Sequence, residues 1–199
     1  MTSNITQVND PKASQIISQL RDESLRPVIV RQLVRDLTTI LSKHVIKPFD
    51  KDEQIAVIVI LRSGLSMADS FLAALPEDTD AVVHHLGLFR EKESLRPVEY
   101  YNKLPHKSPK IHRAYILDPL VATGGTTTAA IHIMKEWGIE HVTLFSLLGS
   151  AIGLQKAASA WPEGTDIVVG AVDKGLDERG YIKPGIGDIG DRLFGTALE

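Results

Sequence analysis

Tyr115-Ile-Leu-Asp118-Pro-Leu-Val-Ala-Thr123-Gly-Gly-Thr126-Thr-Thr-Ala-Ala130 begins as an apolar run suited to a buried strand and ends as the first turn of a helix. Between the two lie an acid, a proline, two adjacent glycines and a group of hydroxyls. Adjacent glycines let the main chain turn tightly with its N–H groups facing inward, and the helix N-terminus adds the positive end of its dipole. Thr123, Thr126, Thr127 and Thr128 can add O–H donors to such a cradle, which suits a phosphate monoester. No lysine follows the glycines, so this is not a nucleoside-triphosphate P-loop. Asp118 stands upstream instead, where the hydroxyls of a sugar could reach it. Cup and carboxylate together read as a site for a phosphorylated sugar. A strand-to-helix turn that binds nothing would need only the glycines and a threonine cap, so the remaining residues have to decide.

Around this stretch, strands and helices alternate. Residues 113–117 form the strand entering the loop and residues 127–137 the helix leaving it, with Gly138 as its C-terminal cap. Upstream, residues 55–61 are apolar on both faces, as a central strand of a parallel sheet must be. A short helix with Met67, Phe71, Leu72 and Leu75 inward follows, stopped by Pro76. Residues 82–89 make another strand, in which His84 and His85 point to opposite faces and form a poor metal pair. Residues 91–97 are a charged turn and 98–103 a return strand, which predicts a protruding, mobile hairpin over 90–105. Downstream, residues 142–148 and 167–172 are strands flanking a helix over 154–160. At the N-terminus, residues 1–12 read as loosely attached. Two helices then fill 13–48, with Ile16, Ile17 and Leu20 on one and, after Pro27, Val30, Leu33, Val34, Leu37, Ile40 and Leu41 on the other. Arg21, Arg26, Arg31 and Arg35 read as a solvated or interface face. The fold class expected is a single α/β domain over 1–199. Its sheet is open and mainly parallel, flanked by helices, with sites at the strands' C-terminal ends.

Composition limits the partners. The chain of 199 residues is 43% hydrophobic and 24% charged, enough for a sizeable core, and its net charge of −3 gives no reason to expect nucleic acid. Without cysteine, thiolate nucleophiles and zinc–cysteine sites are excluded. The longest apolar run, residues 55–61, is far too short to span a bilayer, and the polar start carries no signal pattern. A cytoplasmic protein is expected.

Two arginines and one glycine-rich block complete a site. Arg62 stands directly after the central strand, where such sheets bind ligands, and a guanidinium matches phosphate oxygens bidentately. Arg90 ends the next strand. Gly180-Tyr-Ile-Lys-Pro-Gly-Ile-Gly-Asp-Ile-Gly-Asp-Arg-Leu-Phe-Gly-Thr196 packs five glycines and a proline among Tyr181, Ile182, Leu193 and Phe194. That describes a tightly folded loop whose backbone faces something close by. Backbone N–H and C=O groups of such a loop can read a ligand's hydrogen-bonding edge without help from side chains.

These blocks resemble the uracil phosphoribosyltransferases. The loop at 118–126 is similar to their variant of the PRPP (phosphoribosyl pyrophosphate) loop, with one acid followed by proline. Arg62-Ser-Gly-Leu resembles the family's Arg-Ala-Gly-Leu, and the run from Arg90 to Pro105 resembles its hairpin. Residues 180–196 look like its C-terminus, Tyr-Ile-X-Pro-Gly-Leu-Gly-Asp-Ala-Gly-Asp. The resemblance implies transfer of phosphoribose from PRPP to uracil, giving UMP and pyrophosphate. By it, Arg62, Arg90, Asp118, Pro119, Leu120, Val121, Ala122, Thr123, Gly124, Gly125, Thr126 and Asp188 bind PRPP. Ile182, Gly187, Asp188 and Ile189 hold uracil, and Asp118, Arg62 and Asp188 carry catalysis. It also implies Mg²⁺ carried with PRPP, GTP as a candidate effector, and a homo-oligomer, dimer or tetramer. Two departures stand out: Ile189 replaces the family's alanine, and little room is left before residue 55 for the family's strand pair. The isoleucine keeps one alternative open, a non-catalytic PRPP- or nucleotide-binding regulator; a second alternative is a transferase for another base.

Overall fold

The structure, a computed structural model, describes residues 4–48, 50, 52–91 and 97–196, without the side chain of Arg90. In chain order its elements are β1 (Ile5–Gln7), α1 (Pro11–Leu20), α2 (Pro27–Val45), β2 (Gln54–Leu61), α3 (Leu65–Leu72), β3 (Asp80–Arg90), β4 (Pro97–Asn102), β5 (Ile111–Leu117), β6 (Leu120–Val121), α4 (Gly125–Trp137), β7 (His141–Ser150), α5 (Ala151–Ala160), β8 (Thr165–Asp173), β9 (Gly175–Leu176), β10 (Ile182–Lys183) and α6 (Ile189–Phe194).

The main sheet runs β1-β8-β7-β5-β2-β3-β4, with β6 beside β7, and only β3 and β4 pair antiparallel. Its strands are apolar on both faces because helices cover both. On one face Ile55, Val57 and Val59 of β2 meet α1, α2, α3 and α6 through Ile17, Leu37, Phe71 and Leu193. On the other Ala56, Ile58 and Ile60 meet α4 and α5 through Ile131, Met134 and Leu154. The expected parallel α/β sheet is therefore present, with β2 between β5 and β3. From β2 the chain first adds β3 on one side, then returns to add β5 on the other. That reversal opens a crevice between the carboxyl ends of β2 and β5, where such sheets bind ligands.

Helix boundaries follow local chemistry. Asp10 caps α1 by accepting from the N–H groups of Lys12 and Ala13 at 2.8 and 3.0 Å. Pro27 begins α2, where its missing N–H costs nothing. Gly138, left-handed at φ 90°, closes α4.

The expectation of a loose segment over 1–12 is corrected for the residues described. Ile5–Gln7 pairs in parallel with Ile167–Val169, Asn4 donates from Nδ2 to the carbonyl of Thr165 at 2.9 Å, and Val8 is buried. Edge pairing uses main-chain groups, which any sequence carries, so a polar start gives little sign of it. The hairpin lies where expected, with β3 and β4 paired from Leu86↔Asn102 to Arg90↔Pro97 and β4 exposed throughout. Its expected charged turn falls largely at 92–96, outside the described residues. Between α2 and β2 the described residues form no strand. Among the described residues no helix is long and apolar enough to cross a membrane.

Candidate active site

The loop leaving β5 is hung on β7. Asp118 donates its N–H to the carbonyl of Phe145 at 3.2 Å, and the Pro119 carbonyl accepts from the N–H groups of Leu147 and Leu148 at 3.1 and 3.2 Å. Leu120 and Val121 then pair beside Leu148 and Gly149 as β6. Gly124 turns left-handed at φ 74°, and a Cβ there would lie 2.4 Å from the carbonyl oxygen of Gly153, so only glycine fits. Its own carbonyl accepts from Thr128 at 2.9 Å and starts α4. The N–H groups of Gly125, Thr126 and Thr127 open that helix without intrahelical partners, at the positive end of its dipole.

A cleft of about 290 Å³ lies at the mouth of this loop. Of the residues expected to bind PRPP, it gathers Arg62, Asp118, Leu120, Ala122, Thr123, Gly124, Gly125, Thr126 and Asp188. Pro119 and Val121 do not line it; they anchor the loop to β7. The side chain of Arg90 lies outside the described residues. Of the residues expected to hold uracil, Gly187, Asp188 and Ile189 border the cleft. Ile182 does not: its side chain is buried in the core and its backbone pairs with Leu176. Thr127, expected as a cradle donor, borders the cleft as well, and so do Ser63, Tyr181 and Gly190, which were not foreseen as site residues. Tyr181 and Gly190 sit inside the glycine-rich block, and that position was the signal available for them.

Asp118 is 6% exposed, and burial pushes its carboxyl up to about 7. Hydrogen bonds from the Leu120 backbone and from Thr127 Oγ1, at 3.4 Å, pull the other way. Thr127 therefore turns its hydroxyl to the carboxylate, a more specific task than the cradle donor expected of it. Thr128 does not line the cleft.

Arg62 is held from the C-terminal side. Its Nη2 donates to Asp191 Oδ1 at 3.1 Å and its Nη1 to Thr196 Oγ1 at 3.4 Å, with the guanidinium over the ring of Phe194. Asp188 caps α6, accepting on Oδ1 from the Asp191 N–H at 3.1 Å and on Oδ2 from the Tyr181 hydroxyl at 3.5 Å. No protein group among the described residues pairs with the N–H and C=O of Gly187 or the N–H of Asp188. Ile189 is 4% exposed and packs with Ile186 and Leu193. The arginines expected to be solvated are in part structural: Arg21 pairs with Asp173, and Arg31 donates to the Leu193 carbonyl at 2.7 Å.

A doubly wound sheet whose switch-point cleft joins a glycine-rich cup, a buried carboxylate and an arginine is the phosphoribosyltransferase arrangement. At the level of fold, a hypoxanthine-guanine phosphoribosyltransferase from Bacillus anthracis superposes with a TM-score of 0.51 at 12% identity, over 74% of this chain and 80% of that one. A protein from Aquifex aeolicus superposes with a TM-score of 0.87 at 28% identity, over 98% of this chain and all of that one. The family model described as uracil phosphoribosyltransferase matches residues 48–196. The uracil phosphoribosyltransferase of Thermus thermophilus is 35% identical over 96% of this chain and 99% of its own length. A provisionally named one from Schizosaccharomyces pombe is 44% identical over 98% and 91%. The chain belongs to the uracil phosphoribosyltransferase family.

Proposed function

We propose that this protein transfers phosphoribose from PRPP to uracil in pyrimidine salvage. The bond from the anomeric carbon to pyrophosphate breaks, a bond from that carbon to uracil N1 forms, and the N1 proton is released. One observation carries the reading: a single cleft brings together the N–H groups opening α4, Asp118, Arg62 and the unpartnered backbone of 187–188.

The cup holds the 5′-phosphate, and Asp118 accepts from the ribose hydroxyls. A carboxylate beside the sugar favours the positive charge that develops at the anomeric carbon. Arg62 draws off negative charge as pyrophosphate departs, and Arg90 is assigned the same task. The N–H groups of 187 and 188 donate to uracil carbonyl oxygens, and the carbonyl of 187 accepts from a ring N–H. The hairpin of β3 and β4 closes over the site and excludes water, which otherwise hydrolyses PRPP.

Mg²⁺ fits this residue set. Among the described residues no three acidic or histidine side chains gather around one point, but Asp118 and Asp188 both line the cleft. Mg²⁺ is commonly held by one or two carboxylates together with substrate phosphate oxygens. When bound with PRPP it neutralises pyrophosphate charge. The family reading also includes a homo-oligomer and a response to GTP, which sedimentation and assays with added GTP test.

Ile189 gave the regulator alternative its support. Its side chain is buried in the core even though the residue borders the cleft, and that burial favours the catalytic reading. Incubation with PRPP, Mg²⁺ and one nucleobase at a time, with chromatography of the products, tests the function. Uracil alone should yield nucleotide, one UMP for each pyrophosphate. Failure with uracil, or turnover of another base in its place, overturns the reading.

A further inference from the structure

The backbone that faces the cleft is fixed from outside it. Arg192, on α6, donates from Nη1 to the carbonyls of Leu20 and Ile186, each at 2.6 Å, and from Nη2 to the carbonyl of Asp22 at 2.6 Å. One planar guanidinium thus joins the turn after α1 to the loop before α6. A fork of fixed N–H groups suits three carbonyls that no single-point donor could span. Arg21 acts beside it. Its guanidinium meets both oxygens of Asp173, at 2.9 and 2.8 Å, and donates to the Gly185 carbonyl at 2.8 Å. Asp173 Oδ2 in turn accepts the Gly185 N–H at 2.9 Å.

These contacts divide the loop's polar groups into two sets. Both main-chain groups of Gly185, the Ile186 carbonyl and the Asp188 carbonyl are committed to the frame, the last accepting from the Arg192 N–H at 3.0 Å. The N–H and C=O of Gly187 and the N–H of Asp188 are left for a ligand. Their direction is therefore set by the groups on either side, and the shortest of those bonds, 2.6 Å, runs from Arg192 to the Ile186 carbonyl.

We propose that Arg192 is a positioning residue for base recognition, locking the backbone of 186–188 in the register that reads the uracil edge. The proposal rests on the assignment of this cleft to uracil. It makes the turn at 20–22, which does not line the cleft, part of the apparatus that sets base affinity and choice. The cup that takes the 5′-phosphate is held differently, because it is hung on β7 and α5; only Arg62, through Asp191 and Thr196, ties the pyrophosphate end to α6.

Arg192→Lys keeps the charge but cannot reach three carbonyls at once. It should raise the uracil KM by about tenfold or more, the scale of penalty for small misplacements in a site. It should also narrow the kcat/KM preference for uracil over cytosine. The Kd of PRPP with Mg²⁺, by calorimetry, should stay within about threefold of wild type. Millimolar guanidinium should restore part of the uracil affinity of Arg192→Ala. A general loss of structure would weaken both substrates together and would not respond to guanidinium. An unchanged uracil KM in the lysine variant, or an equal fall in PRPP affinity, overturns the proposal. If the alanine variant does not fold, the lysine variant decides alone. Wild-type protein that makes no UMP would remove the uracil assignment itself; an active wild type with an indifferent lysine variant would remove only the role of Arg192.

Discussion

The hydroxyl of Ser150 donates to the carbonyl of Ala122 at 2.5 Å, and the same oxygen accepts from the N–H of Gly153 at 2.9 Å. The N-terminus of α5 is thereby fastened to the middle of the loop at 118–126. The fit around it leaves no slack: a Cβ on Gly153 would lie 2.1 Å from the Ala122 oxygen. Gly153→Ala must therefore push the loop at 122–124 outward. We expect PRPP affinity to fall at least about tenfold, with a stability loss of roughly 1–3 kcal/mol for overpacking. Calorimetry with PRPP and Mg²⁺ and a denaturant titration check the two effects separately. Undiminished affinity would mean that the cup does not depend on α5.

Asp118 sets a pH dependence. Its carboxyl moves from 3.8 to about 7 because burial penalises the charged form. A folded-state value above the unfolded one means that the native protein holds this proton more tightly. Its contribution to stability is therefore present below the unfolded value, is lost as pH rises, and is gone above about 7. Asp118→Asn cannot lose it, so the variant should gain in Tm relative to wild type as pH rises from about 4 to about 7 and keep that gain above it. The difference between the two proteins isolates this group from other carboxylates. The same substitution should lower kcat by about 100-fold, and the kcat/KM of wild type for PRPP should rise as pH passes through the carboxyl's titration.

Asp191 occupies the guanidinium of Arg62, to which we assign the departing pyrophosphate. Its bond to Arg62 is half-exposed, so its net worth is no more than about 1 kcal/mol. A multiply charged pyrophosphate can displace it. Asp191→Asn should tighten pyrophosphate binding by up to about fivefold, since it removes a competitor worth that much. Arg62→Ala should weaken it by tenfold or more, roughly the ≥1.5 kcal/mol of a charge-assisted bond. A weaker Kd in the asparagine variant would mean instead that Asp191 holds Arg62 in its working position.

Ile189 separates packing from recognition. It is buried with Ile186 and Leu193, so Ile189→Ala should cost about 2–4 kcal/mol of stability through the space it leaves. Base recognition by backbone groups should leave the uracil KM within a few-fold of wild type. Thermal unfolding and steady-state kinetics check the two halves. A uracil KM that improves a hundredfold would mean that the side chain crowds the base after all.

The parts of this protein that could be read from sequence are those whose chemistry is contiguous. The cup at 118–126 carries its acid, glycines and hydroxyls in one run, and the apolar run of β2 announces a strand buried on both faces. The strand β1 could not be read, because edge pairing is made by main-chain groups that a polar sequence does not reveal. Arg21 and Arg192 were opaque for another reason. Their partners lie far along the chain, Leu20 being 172 residues from Arg192, and an arginine on or just past a helix has the same pattern whether it meets water or a carbonyl. Thr127 falls between: its place in the cup was visible, but its hydrogen bond to Asp118 depends on which way the first turn of α4 faces.

The central claim is that backbone groups at 187–188 choose the base, and a ratio of kcat/KM for uracil over cytosine tests it most directly. Cytosine replaces the O4 acceptor by an amino donor, which would confront the loop's N–H groups with another N–H. A site built on such hydrogen bonds should prefer uracil by ~10⁴-fold or more. A ratio near unity, measured with saturating PRPP and Mg²⁺, would contradict the account.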